Sequence, residues 1–131
     1  MKGARRGDVA HVLCLLFLVS AMQVGSANAQ GDGPVVRYFR AFDTIEMPMR
    51  PYREISRTEA EASEAYFRAR YDEVNHLSEV EKIRHGEVDL RYRFRYYDSG
   101  VVREISKQQL NPVVRPEVIY RFDSDGNRLK P

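Results

Sequence analysis

The sequence predicts a mainly β protein: an antiparallel meander of about five or six strands with one short helix, preceded by an N-terminal signal helix. Three observations support this fold class. From residue 66 onward, apolar or aromatic residues alternate with polar ones in short segments, which is the period of a half-buried strand. Turn residues separate these segments at short intervals. After residue 29, only one segment, residues 56–65, has the composition of a helix.

The first 29 residues have the pattern of a secretory signal peptide. Lys2, Arg5 and Arg6 make the start basic, and residues 9–25 are mostly apolar. Ala27 and Ala29 provide the small residues of a cleavage site, so we expect cleavage after Ala29. The uninterrupted apolar core is shorter than the ~20 residues of a membrane-spanning helix, which favours a cleaved signal over an uncleaved anchor. The predicted protein is exported, periplasmic or extracellular, and meets the membrane only through its signal before cleavage.

Removal of this segment changes the charge and the chemistry of the chain. The remaining 102 residues contain 18 Lys and Arg, 18 Asp and Glu, and no cysteine. Zero net charge argues against nucleic acid as a partner, and the lack of cysteine excludes disulfides and cysteine-based metal sites. We predict a flexible leader at residues 30–34 and a single β-rich domain with hairpin repeats at residues 35–131.

The segment after the leader predicts an irregular first strand. Residues 35–42 are rich in β-branched and aromatic residues, with Val36, Tyr38 and Phe42 on one side, while Phe39 breaks the alternation. Residues 47–53 contain two prolines, each of which removes a backbone donor and restricts the residue before it. An extended or turning connector is therefore expected there.

Residues 56–65 predict the single short helix. Ser56 and Glu59 match the Ser-x-x-Glu capping box, in which each side chain accepts a hydrogen bond from the other's backbone N–H. Alanine and glutamate, both good helix formers, dominate the residues that follow. The helix is expected to end near Ala65; a longer helix that reaches Tyr71 is the competing interpretation.

Residues 88–97 predict the clearest strand, because side chains alternate between the two faces of a sheet. One face is apolar and carries Val88, Leu90, Tyr92, Phe94 and Tyr96. The opposite face carries Asp89, Arg91, Arg93, Arg95 and Tyr97. We therefore expect a core layer on one side and an exposed row of arginines on the other.

Three segments align with one another as strand ends followed by turns. They read YDEVNHL (71–77), YYDSGVV (96–102) and FDSDGNRL (122–129), and their turn positions are Asn75, Gly100 and Gly126; Gly86 marks a further turn. The segments resemble the tyrosine-aspartate (YD) repeats of large secreted shell and toxin proteins, and YYDSGVVRE resembles the variant MORN repeat of bacterial proteins. The resemblance covers about 40 residues and implies a β-hairpin array with a binding or structural role. It implies no catalytic residue.

Arg91, Arg93 and Arg95 are the candidate ligand-binding residues. Their spacing along a strand is about 6.6 Å, and guanidinium groups bind phosphates or carboxylates with two hydrogen bonds. An anionic envelope polymer is the expected ligand, whereas nucleic acid is not, since the aromatic residues lie on the opposite face. The alternative is a solvated charge ladder in which these arginines pair with Glu79 and Glu81 of the preceding strand.

The sequence predicts no metal, no cofactor and no catalytic residue. The segment Asp123–Asn127 has calcium-binding residue types, but the chain ends before the position of the glutamate that an EF-hand requires, so a hairpin turn is expected. His76 and His85 do not complete a metal site. The predicted function is a non-catalytic binding or structural module. Its partner is not identified by the sequence; a protein partner is one candidate, and unpaired edge strands would allow a homodimer. An enzyme acting on envelope material is a further alternative.

Overall fold

The computed structural model describes residues 33–46 and 49–130, which form seven antiparallel strands in one sheet and one short helix. In chain order these are β1 (Val35–Asp43), β2 (Arg50–Ile55), α1 (Arg57–Glu61), β3 (Ala65–Tyr71), β4 (Leu77–Arg84), β5 (Glu87–Tyr96), β6 (Val102–Gln109) and β7 (Val118–Arg121). The predicted signal helix, at residues 1–29, lies outside the described residues. Within the described part of the chain, no helix has the length and hydrophobicity to cross a membrane.

The mainly β fold class is confirmed, with two differences in detail. The strand order is β2-β1-β3-β4-β5-β6-β7, so β3 to β7 form a meander while β2 pairs with the outer side of β1. Residues 50–55 are therefore an edge strand, and the expectation of a connector over residues 47–53 is wrong there. Pro51 is compatible with this position, because one side of an edge strand needs no hydrogen-bond partner.

The helix is shorter than the sequence predicted. It ends at Glu61, and the competing interpretation of a helix reaching Tyr71 is wrong, because residues 65–71 pair with both β1 and β4. Ser56 is the N-cap and its hydroxyl accepts the N–H of Glu59 at 3.1 Å. The Glu59 carboxylate binds the Arg40 guanidinium instead of closing the capping box. Only the first half of the predicted cap therefore forms.

The sheet curls, and its apolar side chains fill the concave face. The rings of Phe42 in β1 and Tyr92 in β5 have centroids 4.9 Å apart, although β3 and β4 lie between these strands. Three strand spacings of about 4.8 Å would separate them far more widely in a flat sheet. The buried core cluster on this face consists of Phe39, Met49, Ala69, Val80, Tyr92, Phe94, Ile105 and Phe122.

The two faces of the sheet differ in chemistry, as β5 illustrates. Tyr92 and Phe94 are buried, whereas Arg93 is exposed on the convex face. In β1 the predicted side is wrong for Val36 and Tyr38: Phe39 is the buried residue, Val36 is exposed, and Tyr38 is only half-buried and contacts Tyr66. Phe42, predicted on the same side, packs against the core. Since adjacent residues of a strand point to opposite faces, Tyr38 belongs to the convex face.

Candidate functional site

Three turns lie at the same end of the sheet, because successive turns of an antiparallel meander alternate between its two ends. Turn 1 (residues 72–76) joins β3 to β4, turn 2 (residues 97–101) joins β5 to β6, and turn 3 (residues 123–127) follows β7. Residues 49–51, at the start of β2, face these turns across a groove on the concave side. This groove is the candidate binding site.

The three turns have the same backbone hydrogen bonds. In each, the N–H of the first residue donates to the carbonyl of the fifth, at 2.8, 2.8 and 2.9 Å in turns 1, 2 and 3. The fourth residues are Asn75, Gly100 and Gly126, with φ of 63°, 85° and 85°. Gly86, with φ of 80°, lies at the other end of the sheet, in the turn between β4 and β5. Left-handed backbone of this kind favours glycine and tolerates asparagine.

The first residue of each turn makes a hydrogen bond through its side chain. In turn 1, the Asp72 carboxylate accepts the backbone N–H of His76 at 2.7 Å. In turn 3, the Asp123 carboxylate accepts the N–H of Asn127 at 2.8 Å, and hydrogen bonds of this kind lower the pKa of Asp123. In turn 2, the Tyr97 hydroxyl donates to the carbonyl of Phe122 at 2.8 Å and so connects turn 2 to the end of β7. The oxygens of Asp123 therefore serve the turn itself.

The groove has a volume of about 560 Å³ and an apolar floor. Its apolar lining includes Leu77, Phe94, Val102, Ile105 and Phe122. Among the described lining residues, the polar or charged side chains are those of Arg50, Asn75, His76 and two tyrosines, and none is acidic. The groove therefore suits an apolar group in a molecule that is neutral or negatively charged.

A stacked pair of rings forms one wall of the groove. The His76 and Tyr96 rings lie 4.5 Å apart with an interplanar angle of 24°. The Tyr96 hydroxyl donates to the carbonyl of Leu77 at 2.8 Å, and burial, with the nearby Asp72 carboxylate, raises the pKa of Tyr96 to about 12. Gly100 packs against the same imidazole, since a Cβ at this residue would lie 3.5 Å from His76 Nε2. Turns 1 and 2 are thereby held together.

The arginines that the sequence singled out lie on the convex face, away from the groove, and they are not equivalent. The Arg91 side chain is only 26% exposed and donates to the Glu81 carboxylate at 2.9 and 3.1 Å. Arg93 and Arg95 are 53% and 69% exposed. The expectation of one exposed row is therefore wrong for Arg91, because its donors are already used within the sheet.

Glu81 is the centre of a charged cluster that the sequence predicted only in part. The register places Glu81 opposite Arg91 and Glu79 opposite Arg93, as the charge-ladder alternative required. Glu81 is buried, however, and the guanidinium of Arg68 also donates to it, at 2.6 and 3.0 Å. Burial alone would raise the pKa of Glu81, but the hydrogen bonds from Arg68 and Arg91 outweigh it and lower the pKa. The cluster is therefore ionised and internally paired rather than solvated.

The arginines of β3 were missed at the sequence level. Arg70 binds Glu79, and Arg68 pairs with Glu81 in the β3–β4 register. The sequence does contain a pattern that points to this pairing. Arg68 and Arg70 are separated by one residue, and the two glutamates at positions 79 and 81 have the same spacing. Recognising it requires knowing how far the hairpin turn shifts the two strands.

The fold and groove define this protein as a small curled antiparallel sheet whose turns border an apolar groove. The chain belongs to a family of unknown function, DUF6156, whose model matches residues 31–130. No curated protein and no solved structure matches the chain.

Proposed function

We propose that this protein is an exported, non-catalytic binding module whose groove holds the apolar part of a small ligand. The groove itself carries the proposal. Its volume falls in the range of about 300–1,000 Å³ that is typical of small-molecule sites, and such sites combine apolar walls with a few polar groups. Arg50 and His76 lie at the border of the groove, and none of its described lining residues is acidic. These features favour a neutral or anionic ligand over a cation.

Ligand binding is tested on the purified protein by a thermal-shift screen of apolar and aromatic compounds, with and without a carboxylate. Val102→Trp fills the groove, whereas Val114→Trp places the same side chain in an exposed loop position. Compounds that raise the Tm of the wild type and of Val114→Trp, but not of Val102→Trp, support the proposal. A screen without such a compound, or equal shifts in both variants, counts against it.

Export is supported by the composition of residues 1–29 and by the family match, which begins at residue 31, two residues after the proposed cleavage site. Mass spectrometry of the protein from its native host tests this directly. The mature protein should begin at Gln30. The substitution Ala29→Leu, at the cleavage site, should abolish this N-terminus, whereas the control Ala21→Leu should retain it. A full-length cytoplasmic product would contradict export.

We also propose that turns 1 to 3 belong to a hairpin repeat with a binding or structural role. Their equal hydrogen-bond patterns and the left-handed fourth residue of each support this. The repeat would explain why the groove has three similar borders. Each repeat adds one turn and one aromatic residue, Tyr71, Tyr96 or Phe122, to the same end of the sheet.

A further inference from the structure

The charged convex face of the sheet divides into two parts that differ in how their hydrogen-bond donors are used. Across β3 to β5, the guanidinium groups of Arg68 and Arg91 are hydrogen-bonded to Glu81, and Arg70 binds Glu79. An arginine whose donors are occupied in this way gains little from an additional anion. In this part of the face the guanidinium donors are therefore largely occupied within the sheet.

In the second part, across β5 to β7, the guanidinium groups make only long contacts with carboxylates, and Arg93 Nε donates to Glu79 at 3.4 Å. Arg93, Arg95 and Arg121 are all more than half exposed, with Arg121 at 65%. Glu104 lies 3.8 Å from Arg95 Nη1 and 3.5 Å from Arg121 Nε, both longer than the 2.7–3.2 Å of an ordinary N–H···O hydrogen bond. These arginines therefore retain donors that can bind an anion.

The register fixes the backbone spacing of the three arginines. Arg95 pairs with Glu104, which pairs with Arg121, while Arg93 lies two residues along β5. Ideal strand geometry separates the backbone of Arg93 and Arg95 by about 6.6 Å and that of Arg95 and Arg121 by about 9.6 Å. They border a depression of about 320 Å³ that extends across three strands, from Arg93 in β5 to Arg121 in β7.

We infer that Arg93, Arg95 and Arg121 form a second binding site, for a linear polyanion with closely spaced phosphate or carboxylate groups. Three guanidinium groups against Glu104 and Glu117 leave the lining with a net charge of +1. Each guanidinium can bind a phosphate or a carboxylate through two parallel hydrogen bonds. The site is independent of the groove, which lies on the opposite face of the sheet.

Binding is measured by titrating the purified protein at low salt with long-chain inorganic polyphosphate, with polygalacturonate, and with inorganic phosphate as the monomer control. The site variant carries Arg93→Gln, Arg95→Gln and Arg121→Gln. The matched control carries Arg40→Gln, Arg57→Gln and Arg84→Gln, which remove the same charge from other exposed arginines. Circular dichroism verifies that both variants fold.

The polymer that binds is expected to lose about tenfold or more in affinity in the site variant and little in the control variant. Whether polyphosphate or polygalacturonate binds identifies the anionic group. Glu104→Gln is a second, milder variant and should bind about threefold more tightly, because it removes the opposing charge. Four results would each overturn the inference. Both triple variants could lose affinity equally, or phosphate could bind as tightly as the polymer. Glu104→Gln could bind more weakly than the wild type, or neither polymer could bind.

Discussion

The Arg91 guanidinium donates two hydrogen bonds to the Glu81 carboxylate across the β4–β5 pair, although only 3% of the Glu81 side chain is exposed. Arg68 binds the same carboxylate from β3. A buried carboxylate in such a cluster is strongly unfavourable without its partners, so the three strands are tied together by complementary charge as well as by backbone pairing.

Glu81→Gln should destabilise the protein by about 3 kcal/mol, because it leaves the partly buried guanidinium groups of Arg68 and Arg91 without a counter-charge. Urea denaturation measures this. Glu59→Gln is the matched control, since the Glu59–Arg40 pair is exposed and should contribute at most about 1 kcal/mol. Equal effects of the two substitutions would show that the cluster is not energetically coupled.

The Glu81 carboxylate also determines how the stability of the protein changes as the pH is lowered. Because the folded-state pKa of Glu81 is lowered, its contribution is fully present above its unfolded pKa of about 4.3 and is lost as pH falls through the folded value. The stability difference between wild type and Glu81→Gln should therefore shrink as the pH falls from about 7 to about 2.5. A difference that stays constant over this range would contradict the lowered pKa.

Tyr96 should remain protonated when ordinary tyrosines ionise. Its pKa is raised to about 12, so its contribution to stability is present below the unfolded pKa of about 10 and is lost as pH rises toward the folded value. ¹³C NMR of labelled tyrosine, with Tyr96→Phe to assign the signal, should show an unshifted Tyr96 Cζ at about pH 11. Ionisation near pH 10 would mean that the hydroxyl is not buried against Leu77.

Loss of the Tyr96 hydroxyl in Tyr96→Phe should cost about 1 kcal/mol, since the bond to the Leu77 carbonyl is removed while the ring and its stacking on His76 remain.

The left-handed turn residues predict a graded set of substitutions. Gly100→Ala should destabilise by about 1–2 kcal/mol, because φ of 85° is unfavourable for a residue with a Cβ. Asn75→Gly should change stability by only a few tenths of a kcal/mol, since glycine adopts the same φ readily. Gly33→Ala is the control, because a Cβ there meets nothing within 4 Å. Equal effects at Gly33 and Gly100 would contradict the assigned turn geometry.

The features that sequence reasoning predicts well are those that depend on near neighbours. The alternation in β5 places Phe94 in the core and Arg93 outside, and the N-cap at Ser56 follows from a four-residue pattern. The pairing of Glu81 with Arg91 is accessible for the same reason, because a short turn fixes the register of successive strands.

The features that sequence reasoning misses depend on strand order and on curl. Pro51 reads as part of a connector unless β2 is known to lie at the edge. Met49 reaches the core and the groove only because the sheet curls. Arg121 lies near Arg93 and Arg95 because β6 pairs with both β5 and β7. No local pattern in the sequence predicts this proximity.

The most direct test of the groove is an isotope-filtered NOE experiment on the labelled protein with a ligand taken from the thermal-shift screen. If the groove is the binding site, the ligand's apolar protons should show contacts to Phe94, Ile105 and Phe122. If the ligand binds tightly but shows contacts to Ile119 or to other convex-face residues instead, the groove is not its binding site.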